Sequence, residues 1–438
     1  MRKTTLILLV ILAGIKSGSS QDTLTLFQAI EIGLENNYSI RIQKNELGIA
    51  ENNNTIGNAG MLPSVDLEVS PDMSVSSANS RYISGTEKNV SNASNNSFTA
   101  GIKLSWTLFD GLAMFAKKNT FDILEQIGET KARLAAENTI TQIILTYYGI
   151  VQQIKLVRVQ AEAVDLSMER KNLAEARISI GAGSKMMLLQ STVDLNADSA
   201  RLLTEMAALN NLKATLNRIM GRFPEFAFEV QDLLSLDENL SYADLTAKLS
   251  DQNSELMMGR NNQQAAHLAL TEARADRYPS LDLDAAYNFN RSKSQSGFLE
   301  SNRAYGPTVG LTLSYNLFDG FNTGRNIRNA DIGVSSADLK QKETELDLRT
   351  TLFSTYENYR MNLAIIRLET SNCKAAKTNV EVAIEKYKLG SISDLELREI
   401  QVKYIDAQFQ LVLAQYRAKS AETELLRMTG GLFKMEVK

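Results

Sequence analysis

The chain of 438 residues contains one cysteine, one histidine, one tryptophan and five prolines. A single Cys373 excludes an intrachain disulfide, so stability must come from packing. With His267 alone, Ser-His-Asp or Cys-His chemistry has no motif behind it, and no zinc cluster can form. A non-enzyme without metal or cofactor is expected. After the first twenty residues no segment reaches about 18 consecutive apolar residues, which excludes a later membrane helix. A membrane crossing by this chain would have to be a closed β-barrel. Basic residues are short as well. The leader-like start holds Arg2, Lys3, the apolar run at 6–13 and Gly18, Ser19 and Ser20, and reads as a secretory signal peptide over 1–20. Without it 44 basic face 51 acidic residues, a net charge near −7 that argues against nucleic acid. No Cys follows the cut, so no lipid anchor is expected there.

Proline is also scarce in a pattern: none lies between Pro71 and Pro224, and none follows Pro307. Those stretches lack the commonest helix breaker. Ile143, Tyr147, Ile150, Ile154 and Val157 step by four and three, and Leu352, Tyr356, Tyr359, Leu363 and Ile366 repeat this 209 residues later. Such a seam wants a partner helix. The tetrapeptide Leu-Phe-Asp-Gly stands at 108–111 and again at 317–320, the same offset of 209. Gly181 maps onto Gly390 and Gly221 onto Gly430 at that offset, whereas Pro63-Ser64 maps onto Pro279-Ser280 at 216. The chain therefore reads as one unit written twice, over 21–221 and 240–430, with a linker at 222–239 and a tail at 431–438.

Within each unit the period changes. Val65, Leu67 and Val69 alternate with polar residues, as do Ile102, Leu104, Trp106 and Leu108; Leu281, Leu283, Tyr287 and Phe289 and then Val309, Leu311, Leu313 and Tyr315 repeat it. Strands are expected at about 64–76, 98–108, 280–290 and 306–317. Ser74 to Asn96, rich in Ser and Asn and holding the acceptor patterns at Asn89 and Asn92, reads as an exposed loop. Long helices are expected at about 111–178 and 320–389, each about 100 Å long. Returning helices follow Gly turns at about 185–221 and 393–430, and a helix at about 39–61 precedes Pro63. Asp110 and Asp319 are candidate N-caps where strand becomes helix. A soluble half-buried sheet shows the same alternation, but the leader and the aromatics near the strand ends favour a barrel with lipid outside. Four strands cannot close a barrel, which needs about eight, so copies of the chain must share one.

In this doubled order of helix, hairpin, Leu-Phe-Asp-Gly junction, long helix, Gly turn and returning helix, the chain resembles the TolC-like outer membrane efflux protein family. The resemblance covers everything after the leader. It implies a mixed α/β, mainly α membrane protein: a homotrimer with a 12-stranded barrel, four strands per chain, in outer membrane lipid, continuing into a periplasmic coiled-coil tunnel. It further implies a passive exit duct for small molecules, coupled through a periplasmic adaptor to an inner-membrane pump. Protein cargo, as in type I secretion, is an alternative, and a barrel-anchored adhesive rod is another.

The positions matching the family's pore-narrowing carboxylates hold Glu396 and Glu399. Three apart on a helix, they can share a face, and in a trimer they would form acidic rings whose repulsion raises their pKa values. The plainer reading of Glu396 to Glu399 is a solvated face with Arg398 in the middle. The first repeat departs, with Met187 and Gln190 there, which puts a charged latch between the hairpins in doubt. Gly181, Ala182, Gly183 and Ser184, with Gly390, Ser391 and Ile392, are the expected adaptor-facing tips, although ordinary helix capping also explains the glycines. Gly181 to Lys185 lacks the spacing of a phosphate loop and follows a helix, not a strand. Trp106 is expected in an interfacial aromatic belt.

Overall fold

The computed structural model describes residues 23–295 and 299–432. The leader at 1–20 and most of the tail lie outside them. In chain order the elements are β1 (Thr23–Leu24), α1 (Leu26–Asn36), α2 (Tyr38–Asn53), β2 (Ser64–Arg81), β3 (Glu87–Phe109), α3 (Ala113–Ser179), α4 (Lys185–Ile219), β4 (Glu229–Val230), α5 (Tyr242–Gln252), α6 (Ser254–Ala275), β5 (Ser280–Ser294), β6 (Ser301–Ser314), α7 (Asn322–Lys388) and α8 (Asp394–Met428). Helices α3 and α7 each have 67 residues, and α4 and α8 each have 35. Each boundary of the second pair lies 209 residues after its counterpart in the first. Among the described residues no helix is long and apolar enough to cross a membrane.

The junction tetrapeptide shows why it is repeated. Asp110 accepts a hydrogen bond from the Met114 amide at 2.8 Å, and Asp319 accepts one from the Asn322 amide at 3.0 Å. At both sites two successive residues turn left-handed: Gly111 and Leu112 at φ 69° and 70°, Gly320 and Phe321 at φ 69° and 66°. A Cβ on Gly111 would also stand 2.5 Å from the Ala275 carbonyl oxygen. The Asp caps the helix while the Gly absorbs the reversal.

The described chain forms two compact units, and each takes segments from both repeats: 23–38, 136–249 and 351–432 in one, 39–135 and 250–350 in the other. The first unit holds an apolar core in which Ile140, Ile143, Ile144, Tyr147, Ile150 and Val151 of α3 pack with Leu26 and Ala29 of α1, Leu216 and Ile219 of α4, and Met220, Phe228 and Val230. Fully burying each such large side chain contributes about 1.5–3 kcal/mol. The linker is tied across this unit. Tyr147 Oη donates to the Leu24 carbonyl and accepts from the Gln231 amide. Lys419 Nζ donates to the Ser235 carbonyl at 2.9 Å, Tyr359 Oη to that of Asp237, and Arg367 pairs with Glu238 at 2.8 Å. Strand β1 pairs in parallel with β4, Thr23 opposite Glu229 and Leu24 opposite Val230.

The second unit holds an antiparallel sheet in the order β2-β3-β5-β6. One face carries Val65, Leu67, Ile102, Trp106, Leu311 and Leu313, all exposed. Three expectations are corrected here. The span from Ser74 to Asn96 is not a loop: β2 and β3 pair through it, from Ser74 opposite Asn95 to Arg81 opposite Glu87, with a register shift between Ser76 and Ala78. Main-chain pairing needs no apolar alternation, so polar side chains on both faces hid the strands. The helix expected to about 61 stops at Asn53, because Asn54 donates to Asp122 at 2.9 Å and Asn58 binds the Thr55 hydroxyl and Asn53 carbonyl instead. The last strand ends at Ser314 rather than 317, where Asn316 accepts from the Phe318 amide and turns the chain.

Candidate functional site

Two helical hairpins end in the turns that sequence singles out. Beyond α3, the Gly181 amide donates to the Ile178 carbonyl at 3.0 Å and Ala182 to that of Arg177 at 2.9 Å, with Gly181 at φ 77°. Beyond α7, Gly390 donates to Tyr387 and Ser391 to Lys386, both at 2.9 Å, with Gly390 at φ 76°. The left-handed residue lets the orphan carbonyls of each helix end be satisfied. Ser184 then caps α4, and Ser393 caps α8. Gly181, Ala182, Ser184, Gly390 and Ser391 are exposed and Gly183 is half-buried. Ile392 is half-buried too, packed on the small cluster of Ala383, Tyr387 and Leu397.

Glu396 and Glu399 are exposed, and each has a local partner. Glu396 accepts from the Ser393 amide at 2.8 Å and hydroxyl at 2.9 Å, closing a capping box. Those donated hydrogen bonds hold its carboxyl below the ordinary value. The upward shift expected from repulsion belongs to rings in a trimer, whereas this cap acts within one chain. Glu399 pairs with Lys403 at 2.6 Å, one turn along.

Charged contacts between the two hairpins, which Met187 and Gln190 put in doubt, are made by other residues. Arg398 of α8 makes a two-pronged contact with Asp198 of α4 at 2.9 and 3.2 Å, and also donates to Ser167 of α3 at 3.1 Å. Arg170 of α3, 1% exposed, donates to Asp194 of α4 and lies 3.8 Å from Asp394 of α8. Arg177 donates to the Tyr387 carbonyl, and its guanidinium stacks 4.1 Å from the centre of that ring. Tyr387 Oη donates to Asp394 at 3.3 Å, and burial pushes its pKa up. Lower on the same helices Tyr404 and Gln408 both donate to Glu162 at 2.9 Å. Burial and Glu162 raise the Tyr404 pKa.

These contacts were missed because they sit at seam positions. Gln160, Ala163, Ser167, Arg170 and Ala174 follow the three-and-four spacing of the apolar seam, and all are buried. Small and polar residues at those positions were the available signal. A charged pair held this far from water is weak evidence for stability. Removing one partner, however, leaves the other desolvated and alone.

A family model described as outer membrane efflux protein matches residues 29–222 and 245–431. The proteases secretion protein PrtF of Dickeya chrysanthemi is 23% identical, the match covering 98% of this chain and 93% of that protein. The outer membrane efflux protein BepC of Brucella suis biovar 1 is 21% identical, over 76% of this chain and 72% of its own. Among solved structures, the outer-membrane channel OprN superposes with a TM-score of 0.80 at 17% identity, covering 93% of this chain and 90% of that one. The Campylobacter jejuni CmeC outer membrane channel gives 0.80 at 15% identity, over 93% and 85%.

Proposed function

The chain belongs to the outer membrane efflux protein family, and from that premise we propose that three copies form an exit duct through the outer membrane. The observation that carries this is the four-stranded sheet of β2, β3, β5 and β6. Its two outer strands, β2 and β6, have no partner on their far sides among the described residues, and its apolar face is open. Unpaired edges demand neighbours. All neighbours in the sheet are antiparallel, so β6 runs opposite to β2 and meets the β2 of the next copy antiparallel as well, and three copies close twelve strands. Helix α7 supports the same reading. Ile332, Leu339, Leu346, Phe353, Met361 and Leu368 form an exposed stripe at near-heptad spacing, in which Phe353 touches the Tyr242 ring of α5 and the rest is an open coiled-coil seam. Met186, Leu189, Val193 and Leu203 leave a second stripe open on α4.

The duct carries small molecules delivered by an inner-membrane pump through a periplasmic adaptor that docks at the hairpin tips, 181–184 and 390–392. The repeats at 21–221 and 240–430 are tandem copies of one unit, supported by their equal helix lengths. Purified protein is expected to run as a trimer and to give discrete single-channel conductance in a planar bilayer; a folded monomer without conductance overturns the reading. Glu396 and Glu399 narrow the pore: E396A/E399A is expected to raise conductance and weaken block by cations, and unchanged conductance removes that role. Ser184→Cys and Ser391→Cys are expected to crosslink to a cysteine at the adaptor's tip.

A further inference from the structure

On the apolar face the sheet's rows run in register across all four strands. Val69, Ala100, Phe289 and Tyr305 make one row, and Pro71, Phe98, Arg291 and Arg303 make the next. Lys293 stands one row further, beside Asn96 and Met73. Phe98 and Phe289 touch edge to face, ring centroids 6.3 Å apart, so their side chains share that face. On β5 and β6 the apolar surface thus ends in Tyr287, Phe289 and Tyr305, and a basic group begins directly beyond, while on β2 it continues through Met73 and Val75.

Arg291 and Arg303 are direct cross-strand partners. Like charges in that relation destabilise a strand pair. Among the described residues neither guanidinium has an ion pair, and both are exposed; Lys293 has only the exposed Glu300 at 3.9 Å. On the opposite face of β5 and β6 the same level holds Asn290, Ser292, Asn302 and Ala304, all neutral. The cations are therefore confined to one face, just past its aromatic edge. Snorkelling accounts for one long cation at such a boundary, but not for two set against each other without a counter-charge.

We propose that Arg291 and Arg303, with Lys293 beside them, bind a lipid headgroup that carries a phosphate monoester. Each guanidinium offers a planar fork to phosphate oxygens, and a monoester's charge of about −1.5 to −2 matches the two arginines. The assignment rests on the proposed membrane-inserted sheet, whose aromatic row marks the level of the headgroups.

The full chain is reconstituted in phosphatidylcholine vesicles containing either phosphatidic acid or phosphatidylglycerol, a diester, and the lipid retained after exchange into neutral detergent is counted by mass spectrometry. Wild type is expected to retain phosphatidic acid preferentially, R291Q/R303Q about thirtyfold less, and R291K/R303K an intermediate amount. Equal retention by wild type and R291Q/R303Q overturns the site. Equal retention of the two lipids overturns the monoester, and release by inorganic phosphate overturns the lipid as its source. In neutral detergent R291Q/R303Q is expected to melt no lower than wild type, since repulsion has been removed. Trp106, the sole tryptophan, lies on the same face and reports insertion through quenching by brominated acyl chains. Quenching with equal retention sinks the headgroup site alone; absence of quenching sinks the membrane-sheet reading beneath it.

Discussion

Helix α3 carries two seams of different chemistry on one continuous spacing. Between Ile140 and Val159 its buried residues are mostly aliphatic and aromatic; between Gln160 and Ala174 they are Gln160, Ala163, Ser167, Arg170 and Ala174. The first half is held by removal of apolar surface from water, which needs no particular partner geometry. The second is held by charges that are stable only while paired, so its contacts are lost together or kept together. A single rod is therefore held by apolar burial at one end and by paired polar groups at the other.

The largest effect should come from the apolar half. Ile143→Ala empties a fully buried position and is expected to lower the stability of the first unit by about 3–4 kcal/mol. Guanidinium unfolding followed by helical circular dichroism measures this, and a loss under about 1 kcal/mol would mean that the core relaxes around the gap. In the polar half, Arg398→Ala leaves Asp198, which is 2% exposed, with only the Ser167 hydroxyl and Arg201 at 3.6 Å, and is expected to cost about 2 kcal/mol. Here the loss should be local: faster amide exchange at 185–200 and 394–405, with little change near Ile143. Adding Asp198→Ala should recover part of it, and a cycle without coupling would show that the pair does not act as a unit. Smaller still is the cap: Ser393→Ala is expected to cost about 1 kcal/mol, read in the exchange of the Glu396 amide.

The same cap sets a pH dependence. The Glu396 carboxyl titrates below the ordinary glutamate value of 4.5, so its contribution is present above that pH. It is lost as pH falls through the lower folded value. Exchange at the first turn of α8 should quicken in that acid window, and not at the first turn of α4, where Ser184 caps without a carboxylate.

Much of this comparison was legible in the sequence, and the omissions have a common cause. The junctions at Asp110 and Asp319 and the turns at Gly181 and Gly390 could be read because each demands a particular backbone conformation from a particular residue type. The apolar seam around Tyr147 could be read from its period. The polar seam could not, because a charge on a helix is ordinarily solvated and spacing does not tell an inward charge from an outward one. The two carboxylates Glu396 and Glu399 are paired within α8 and its cap, and the arginine between them is the one that reaches into the neighbouring hairpin. The strands through 74–96 were missed for the opposite reason, since a ladder made by the main chain leaves no mark on side-chain polarity.

The parallel pairing of β1 with β4 bears on the order in which the protein can mature. Thr23 and Leu24 find their partners only once Glu229 and Val230 exist, near the midpoint of the sequence. The leading residues must therefore stay unpaired while roughly half the polypeptide is synthesised, and the first compact unit cannot be finished in sequence order.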